Sequence, residues 1–356
     1  MLFHRKILIN IFFSCSCLIV VLYAQDLEDL SFGDDNSLDV ATWNIEWFPK
    51  NGQITIDYVV DIINLLDLDI IAIQEVDDTT MFDQMLDSLP AYSGYYESSW
   101  FAGLAYIYKT GIVEINDIYE IYTTSSYWNA FPRSPMVMDI NFMGENYFTI
   151  NNHFKCCGDG VLEYDNAYDE ENRRYTAINL LKEYIDNYLP NNNVIILGDL
   201  NDNIIENPPN NVFQNILNDS INFHFADFEI AQGNSSEWSF PNWPDHLDHI
   251  LITNEMFNGL NNFEVQTIKI DEYLDGGWNE YDQNISDHRP VAIKYSINSA
   301  VSYDINNDGI INDADFIILL SFIMNNNGLI DSADINFDSV VDIFDLLLLS
   351  DFIQNM

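Results

Sequence analysis

The feature that most constrains the fold is a short apolar run, Val194 to Leu197, which ends abruptly in Gly198-Asp199-Leu200-Asn201-Asp202. An apolar run bounded by glycine and polar residues predicts a buried strand that delivers its last side chains to the edge of a sheet. Asp199 and Asn201 are two residues apart, so an extended backbone would point both to the same side. A carboxylate and a carboxamide presented together suit a divalent cation or an attacking water. The alternative is a strand that merely ends in a polar turn.

Two other strand-like runs end in a similar way. The run Leu38 to Phe48 carries Asn44 and Glu46 on one face by alternation. The run Ile70 to Ile73 continues into Gln74-Glu75-Val76 and places Glu75 at a strand end. A glutamate that simply faces solvent is the alternative there. The recurrence of the pattern favours a functional site over one isolated polar turn.

The remaining periodicity predicts the other elements of one large domain. Apolar residues at helical spacing predict helices over 54–66 and 173–188. Further strands are predicted at Leu104 to Tyr108, Ile112 to Ile118, Met136 to Phe142, Tyr147 to Asn151, Leu247 to Ile252 and Val291 to Ser296. Strands and helices in this order indicate an α/β domain with two packed sheets.

The charge is strongly acidic, with 57 Asp and Glu against 12 Lys and Arg, a formal net charge of -45 over 356 residues. Such a chain should be soluble and should be repelled by bare polyanions and anionic membranes. Few basic residues remain, and five fall in or beside the motifs described below: Arg133, Lys155, Arg173, Arg174 and Arg289. This clustering indicates an anionic substrate. The chain has no long basic segment for tracking a nucleic-acid backbone, which weakens a nuclease interpretation.

Residues 1–24 are predicted to be a cleaved export signal. Arg5 and Lys6 precede the apolar run Ile7 to Leu22, and Ala24 offers a small residue before a cleavage point. The run is short for a membrane span, and polar sequence follows it at once. The alternatives are a retained anchor or a lipid-modified cysteine at position 15 or 17.

Removal of the leader would leave two cysteines, Cys156 and Cys157, adjacent in the chain. No disulfide framework therefore supports the fold. The pair could form a vicinal disulfide or remain as thiols, and the sequence leaves both open. Residues 25–37 are acidic and polar and are predicted to be a flexible linker.

Six motifs, taken together and in order, resemble the endonuclease/exonuclease/phosphatase superfamily. They are WNIEWF with Asn44, IIAIQEV with Glu75, NNHFK with His153, LGDLNDN with Asp199 and Asn201, LDHILIT with Asp248, and SDHRPV with Asp287 and His288. The resemblance covers residues 38–297 and includes deoxyribonucleases of the DNase I type, abasic-site endonucleases, neutral sphingomyelinases and inositol polyphosphate 5-phosphatases. It implies a four-layer α/β sandwich, two mixed sheets flanked by helices, with the site at one edge.

The resemblance also implies a metal site and a phosphate site. Asn44, Glu75 and Asp287 would hold Mg²⁺ or Mn²⁺, which prefer oxygen ligands and are usually bound by one or two carboxylates plus substrate phosphate. Asp199 and Asn201 would orient the nucleophilic water, and Asn201 would also bind a phosphate oxygen.

The implied acid–base groups are histidines. His288 resembles the histidine of a His-Asp dyad, with Asp248 fixing its tautomer and supporting its positive charge. Asp245 is the alternative partner. His153 would donate a hydrogen bond to phosphoryl oxygens or protonate the leaving group. His246 and His249 are expected to be loop residues or residues that support others.

Two basic residues complete the implied substrate contacts. Arg133 in FPRSPM resembles a phosphate-contacting arginine, although a structural arginine is the alternative. Lys155 follows His153 closely and is expected to bind substrate as well.

The tail, residues 298–356, is predicted to be a small all-α calcium-loop domain. Oxygen ligands recur at loop positions 1, 3, 5 and 12, with a backbone carbonyl expected at position 7. The predicted calcium residues are Asp304, Asn306, Asp308, Ile310 and Asp315 in the first loop, and Asp334, Asn336, Asp338, Val340 and Asp345 in the second. Each loop precedes an apolar helix, Phe316 to Met324 and Leu346 to Ile353.

Two such units about thirty residues apart resemble a type I dockerin, which implies a cohesin-like partner on a scaffold or cell surface. Ser339 replaces the glycine of the second loop, which weakens calcium binding there. The pairs at loop positions 10 and 11 also lack Ser and Thr, which points to an unusual partner or to a role in folding or anchoring alone.

Together these features predict a monomeric, secreted or surface-attached, metal-dependent phosphoesterase without a transmembrane segment once the leader is removed. The leading interpretation is a nuclease acting on extracellular DNA or RNA. The alternatives are a phosphodiesterase or phosphatase that acts on lipid head groups, as sphingomyelinases do, or on small phosphorylated compounds, and a binding protein without catalysis.

Overall fold

The structure is a computed structural model that describes residues 26–34, 37–97, 102–257, 263–296, 305–306, 310–325, 333, 335 and 341–355. The predicted export signal, residues 1–24, lies outside this part of the chain. Within the described residues, no helix has both the length and the apolar character needed to cross a membrane.

In the part of the chain that the structure describes, the strands form two six-stranded sheets. They are β1 Ser37–Phe48, β2 Ile70–Val76, β3 Tyr92–Glu97, β4 Gly103–Lys109, β5 Glu114–Glu120, β6 Met136–Phe142, β7 Glu145–His153, β8 Asn193–Asp199, β9 Phe223–Phe225, β10 Asp248–Thr253, β11 Phe263–Thr267 and β12 Val291–Ser296. The first sheet has the order β11-β12-β1-β2-β4-β3 and the second β5-β6-β7-β8-β10-β9. The pairs β1–β2 and β7–β8 are parallel and their neighbours antiparallel, so both sheets are mixed, as predicted.

The helices of the large domain lie on the outer faces of the sheets. They are α1 Gln53–Leu66, α2 Thr79–Asp87, α3 Glu170–Tyr188, α4 Gln214–Leu217, α5 Phe228–Gln232 and α6 Gly277–Asn284. The sequence predicted α1 and α3 but not α2 or α6. The edge strands β3, β9 and β11 were also missed, because none of them carries a continuous apolar run.

Three apolar cores account for the layers. One lies between the sheets, and Val40 and Leu197 belong to it. A second lies between the first sheet and α1 and includes Trp43. The third lies between the second sheet and α3 and includes Leu181. Helices, sheet, sheet and helices therefore stack in the order expected for an α/β sandwich.

The face of β1 between the sheets changes from apolar to polar along the strand. Leu38 and Val40 belong to the core between the sheets. Thr42, two residues on, donates a hydrogen bond to Gln74 of β2, and the Gln74 amide donates to Asn151 of β7 at 2.7 Å. The strands therefore leave the apolar core and enter a polar layer as they approach the site.

Gly198 lets the parallel strands β7 and β8 approach closely. Its φ is 147°, and a Cβ at this position would lie 2.0 Å from the backbone oxygen of Asn152. Only glycine fits such a contact. The close pairing sets His153 opposite Asp199 in the register.

The described residues of the tail include two helices around a small core of their own. These are α7 Asp313–Asn325 and α8 Ile343–Asn355, which begin before the apolar runs that predicted them. Their core includes Leu319 and Leu349. Of the predicted calcium residues, Asn306, Ile310, Asp315 and Asp345 are described, whereas Asp304, Asp308, Asp334, Asn336, Asp338 and Val340 lie outside the described residues.

The two described carboxylates of the predicted calcium loops occupy matching environments. Asp315 is fully buried and accepts hydrogen bonds from the backbone N–H of Asn306 and Asn312. Asp345 is fully buried as well and accepts from the backbone N–H of Ile335 and Asp342. The repeat seen in the sequence is therefore also a repeat in structure at these two positions.

Candidate active site

A cavity of about 730 Å³ opens where the ends of β1, β2, β7 and β8 meet. Seven residues that the sequence predicted for the site line it: Asn44, Glu75, His153, Asp199, Asn201, Asp287 and His288. They come from both sheets and from the loop before β12, so the fold brings together residues that are far apart in sequence.

Asp199 is at the centre of this group. Its Oδ2 accepts a hydrogen bond from the Asn44 amide at 3.0 Å, and the same amide nitrogen lies 3.3 Å from Glu75 Oε1. His153 Nε2 lies 3.4 Å from Asp199 Oδ2 and 3.8 Å from Glu75 Oε1. Two carboxylates, an amide and an imidazole thus face one point.

His288 and Asp248 form the predicted pair. His288 Nδ1 lies 2.7 Å from Asp248 Oδ2, and both residues are buried. Asp248 is opposite Asp199 in the β8–β10 register. Asp245, the alternative partner, instead accepts a hydrogen bond from Asn203 at 3.0 Å. The other ring nitrogen, His288 Nε2, lies 3.9 Å from Asp199 Oδ2 and therefore faces the cavity.

The environment separates the protonation states of the two histidines. Burial alone would lower the pKa of His288, but the carboxylates of Asp248 and Asp199 outweigh burial and raise it to about 10. Burial lowers the pKa of His153 well below its ordinary value, and the nearby Arg133 and His288 lower it further. Burial raises the pKa of Asp199 to about 7, although His288 opposes the shift. At neutral pH His288 is a cation and His153 is neutral.

Several site residues adopt left-handed backbone conformations. The φ angles are 37° at Glu46, 51° at Trp47, 66° at Glu75 and 55° at Asn201. Such angles are uncommon outside glycine and cluster at functional sites. The extended backbone predicted to carry Asp199 and Asn201 to one side is therefore wrong, because β8 ends at Asp199 and the chain turns at Asn201.

The turn itself joins these two residues. Asp199 Oδ1 accepts a hydrogen bond from the backbone N–H of Asn201 at 3.1 Å, and the Asn201 amide donates to the carbonyl of Phe154 at 3.3 Å. Both residues line the cavity, as expected, but a tight turn places them there and alternation does not.

Glu46 also lines the cavity, although the sequence assigned it no role. Its carboxylate accepts hydrogen bonds from the backbone N–H of Asp287 at 2.9 Å and from the ammonium of Lys50. Burial raises the pKa of Glu46, and the contact with Lys50 opposes the shift. The sequence did indicate this position, because Glu46 lies two residues after Asn44 in the same predicted strand. Glu46 holds the Asp287 loop against β1.

The donor set fits a hard divalent cation. Asn44, Glu75, Asp199 and Asp287 offer carboxylate and amide oxygens at one cavity. Burial is the main cause of the raised pKa of Asp199, and the neighbouring carboxylates of Asp248 and Glu75 add to it. Magnesium and manganese prefer such oxygen ligands. An ion bound here would neutralise the negative charge of a phosphoryl group and polarise its oxygens.

Comparison with known proteins identifies the family. Residues 41–288 match the sequence profile described as "Endonuclease/Exonuclease/phosphatase family". The chain belongs to this family. Its members are metal-dependent phosphoester hydrolases, and so is this enzyme. No curated protein matches the chain by sequence.

Solved structures share the fold. TDP2 of D. rerio complexed with single-strand DNA product has a TM-score of 0.55 and 14% identity, covering 73% of this chain and 99% of that one. The human nocturnin catalytic domain with bound sulfate has a TM-score of 0.52 and 16% identity, covering 73% and 94%. An endonuclease/exonuclease/phosphatase from Bacteroides vulgatus has a TM-score of 0.51 and 16% identity, covering 72% and 98%.

The basic residues of this hydrolase differ in what they contact. Arg133 Nε donates to the carbonyl of Ala102 at 3.1 Å. Burial lowers the pKa of Arg133, and the charges of the nearby Glu75 and Asp199 oppose this shift. Lys155 donates to the neighbouring Cys156 carbonyl at 2.9 Å. Neither Arg133 nor Lys155 is among the residues that line the cavity, but the charges of Glu75 and Asp199 act on Arg133. Of the two, Arg133 is the better placed to meet an anion.

Two of the five clustered basic residues, Arg174 and Arg289, bind carboxylates of the protein itself. Their clustering is therefore weaker support for an anionic substrate than the sequence indicated. Arg289 makes two hydrogen bonds of 2.7 Å to the Asp271 carboxylate. Arg174 donates to Asp202 at 2.7 Å and to the carbonyls of Lys155 and Cys157. Both arginines are buried and hold loops around the site.

Cys156 and Cys157 are free thiols at the cavity wall. Both are exposed, and their Sγ atoms lie 2.9 Å apart. Cys157 has a φ of 70°, so the loop turns sharply there. The contact between the thiols raises the pKa of Cys157, and burial adds to the shift.

The large domain contains a buried cluster of Asp227, His246 and His249 that the sequence did not predict. His246 and His249 are fully buried. Both were expected to be loop residues or residues that support others. His246 precedes β10 and His249 lies within it, so for His249 the supporting role is the alternative that fits. Asp227 Oδ2 lies 2.6 Å from His249 Nδ1 and 3.0 Å from His246 Nε2. The His249 Nε2 donates to the carbonyl of Asp202 at 2.9 Å. Asp227 gave no signal because its partners are about twenty residues away.

This cluster makes stability depend on pH within a defined window. Burial would raise the pKa of Asp227, but His249 and His246 outweigh it and lower the pKa below the ordinary 3.8. Its contribution is therefore present above pH 3.8 and is lost as the pH falls further. Asp227 outweighs burial and raises the pKa of His249 above 6.5, so that contribution is full below pH 6.5 and is lost as the pH rises through the raised value.

We expect Asp227→Asn to lower the free energy of unfolding by about 3–5 kcal/mol, because it leaves His249 buried without its counterion. The loss should be larger near pH 5.5 than near pH 10. Denaturant unfolding at both pH values measures it, with the nearby exposed Glu229→Gln as the control for loss of one charge. A loss that is equal at the two pH values would contradict the assignment of the ion pair.

Proposed function

We propose that this phosphoester hydrolase is a secreted nuclease that cleaves phosphodiester bonds of extracellular DNA or RNA and is attached to a partner through its tail. The single observation that carries the proposed chemistry is the Asp199 carboxylate, which lies within 3.4 Å of His153 Nε2, 3.0 Å of the Asn44 amide and 3.9 Å of His288 Nε2. A base, a cationic imidazole and oxygen ligands at one point suit attack of water on a phosphodiester.

Asn44, Glu75 and Asp287 would hold Mg²⁺ or Mn²⁺, which supplies Lewis-acid stabilisation of the phosphoryl charge. Asp199 and Asn201 would orient the attacking water, and Asn201 would also contact a phosphate oxygen. With its pKa near 7, Asp199 can accept a proton from that water close to neutral pH.

The two histidines would act from different protonation states. His288, charged and oriented by Asp248, would stabilise the developing negative charge on the phosphoryl oxygens. His153, whose pKa is lowered by burial, would donate a hydrogen bond from Nε2. A neutral imidazole is a weak proton donor, so the hydrogen-bonding role is favoured over protonation of the leaving group.

Two observations bear on the substrate. Trp47 lines the cavity with 46% of its surface exposed, and an aromatic face of this kind suits stacking by a nucleic-acid base. The net charge of -45 opposes the approach of a polyanion and favours the second candidate, a diesterase or phosphatase acting on lipid head groups or small phosphorylated compounds. The complete set of site residues argues against a binding protein without catalysis.

A side-by-side assay separates these candidates. We expect the purified chain to nick plasmid DNA in Mg²⁺ or Mn²⁺ and to lose activity in chelator. RNA, sphingomyelin and bis-aryl phosphodiester are offered under the same conditions. Turnover of the lipid or small diester alone would replace the nuclease with the second candidate, and no turnover of any substrate would support a binding protein.

His288→Ala and His153→Ala should each lower kcat by about 10²–10⁴-fold, because each removes a group that contacts the reacting phosphoryl oxygens. Asp248→Asn should lower kcat with little change in KM, since it disturbs only the orientation and charge of His288. His224→Ala, at a histidine in β9 with an exposed side chain, is the matched control and should leave kcat unchanged. Residual activity above a few per cent in either site variant would contradict these roles.

For the tail, we propose paired calcium loops that fold a dockerin-like module and bind a cohesin-like protein on a scaffold or cell surface. The buried positions of Asp315 and Asp345 support this proposal, because each carboxylate accepts hydrogen bonds from two backbone N–H groups of its own loop. Calcium loops place a carboxylate ligand at this twelfth position.

We expect calcium to slow proteolysis of the tail in the full chain, and Asp315→Asn to weaken this protection at least tenfold in calcium concentration. Asp313→Asn removes an exposed carboxylate from the same helix and should leave the protection unchanged. Identical calcium dependence in the parent and in Asp315→Asn would refute the calcium loop. Neither substitution should alter phosphodiester hydrolysis in Mg²⁺.

A further inference from the structure

We propose that the loop between β7 and α3 holds a second cation of the calcium class, bound by Asp159, Asp169 and Glu171. Glu171 lines the cavity of the candidate active site, whereas Asp159 and Asp169 do not, and none of the three is among the seven predicted site residues there. The inference concerns the binding of an ion and does not depend on the reaction proposed above.

The three carboxylates converge. One oxygen from each lies within 4.8 Å of the others. Calcium binds oxygen ligands at about 2.4 Å, so two ligands on opposite sides of one ion are about 4.8 Å apart. Magnesium needs shorter distances and a near-ideal octahedron, which three side chains on one loop and one helix are less suited to supply.

Glu171 provides the observation that points to a ligand. The residue is 2% exposed, and its Oε1 accepts a hydrogen bond from the backbone N–H of Gly160 at 2.7 Å. Its Oε2 is buried and has no hydrogen-bond partner. A buried carboxylate oxygen without a partner is costly, so an ion that coordinates it would remove that cost.

The other two carboxylates keep capacity for a ligand. Asp169 is 8% exposed and caps α3, with Oδ2 accepting from the backbone N–H of Asn172 at 2.8 Å and of Glu163 at 3.1 Å. Asp159 Oδ1 accepts from the backbone N–H of Val161 at 3.1 Å. These bonds orient both side chains and use one oxygen of each.

The local charge is not balanced by the protein. Among the described residues, Arg174 is the cation paired with this cluster, at 3.4 Å from Glu171 Oε1, and it is already bonded to Asp202 at 2.7 Å. Glu206 lines the active-site cavity together with Glu171 and adds another carboxylate. One guanidinium therefore serves several carboxylates, and a divalent cation would supply the missing positive charge.

The loop packs tightly around this carboxylate. Gly158 has a φ of 118°, and a Cβ there would lie 2.1 Å from Glu171 Oε1. Gly158, Gly160 and the two cysteines before them line the candidate active site. An ion on Glu171 would therefore fix the wall of the cavity as well as the start of α3.

The test counts calcium ions bound by the full chain and measures their affinities, by equilibrium dialysis with calcium chloride. We expect Asp159→Asn to lose one bound ion or to weaken one site at least tenfold relative to the parent. Asp165→Asn removes the same charge from an exposed position of the same loop and should match the parent. Calcium sites in the tail and active centre are common to all three proteins and cancel in the comparison.

Glu171→Gln is the second variant, because glutamine keeps the shape and can still accept the hydrogen bond from Gly160. Far-UV circular dichroism confirms that each variant is folded. Calcium should protect the 155–169 loop from proteolysis in the parent and in Asp165→Asn but not in Asp159→Asn or Glu171→Gln. If Asp159→Asn and Glu171→Gln both bind as many ions as the parent with the same affinities, the proposed site does not exist.

Discussion

The site depends on one buried hydrogen bond between the sheets, from the Asn44 amide to Asp199 Oδ2 at 3.0 Å. Behind it, the Gln74 amide donates to Asn151 Oδ1 at 2.7 Å, and the Asn151 amide donates to the carbonyl of Ile73 at 3.0 Å. Unpaired polar groups would be costly in this dry space, so the two sheets must meet in the one register that pairs them all. Apolar packing holds the sheets together, and this polar layer fixes how they align.

Strand alternation explains only part of the site that the sequence predicted. Ile195 and Leu197 belong to the core between the sheets, and Asp199 continues the same face. In β1, Asn44 likewise follows Leu38, Val40 and Thr42 at every second position of one face. Because side chains alternate strictly in a strand, a polar residue that follows apolar neighbours at every second position enters the cavity at the strand end. The pairing of His288 with Asp248 was predicted from the resemblance to the family, because alternation within one strand carries no information about a residue far away in the sequence.

Alternation fails where the backbone turns left-handed. Ile71 and Ile73 face α1, and strict alternation would send Glu75 to that side as well. Its φ of 66° and a break in the β2–β4 register turn the carboxylate into the cavity instead. The strain is offset by contacts from other strands, which a local pattern does not contain. The same limit hid the pairing of Asp227 with His249, since two separated segments must fold before the charges meet.

The distribution of charge decides how such an acidic enzyme can attract phosphate. Arg174 and Arg289 form buried ion pairs with Asp202 and Asp271, and Lys155 donates a hydrogen bond to the carbonyl of Cys156 in its own loop. Long-range steering by basic side chains is therefore weak, and attraction must come at short range from a bound divalent cation, from Arg133 and from charged His288. Affinity that depends on counterion release falls steeply with added salt. An enzyme built in this way should instead respond steeply to the divalent metal and weakly to monovalent salt, whichever phosphodiester it takes.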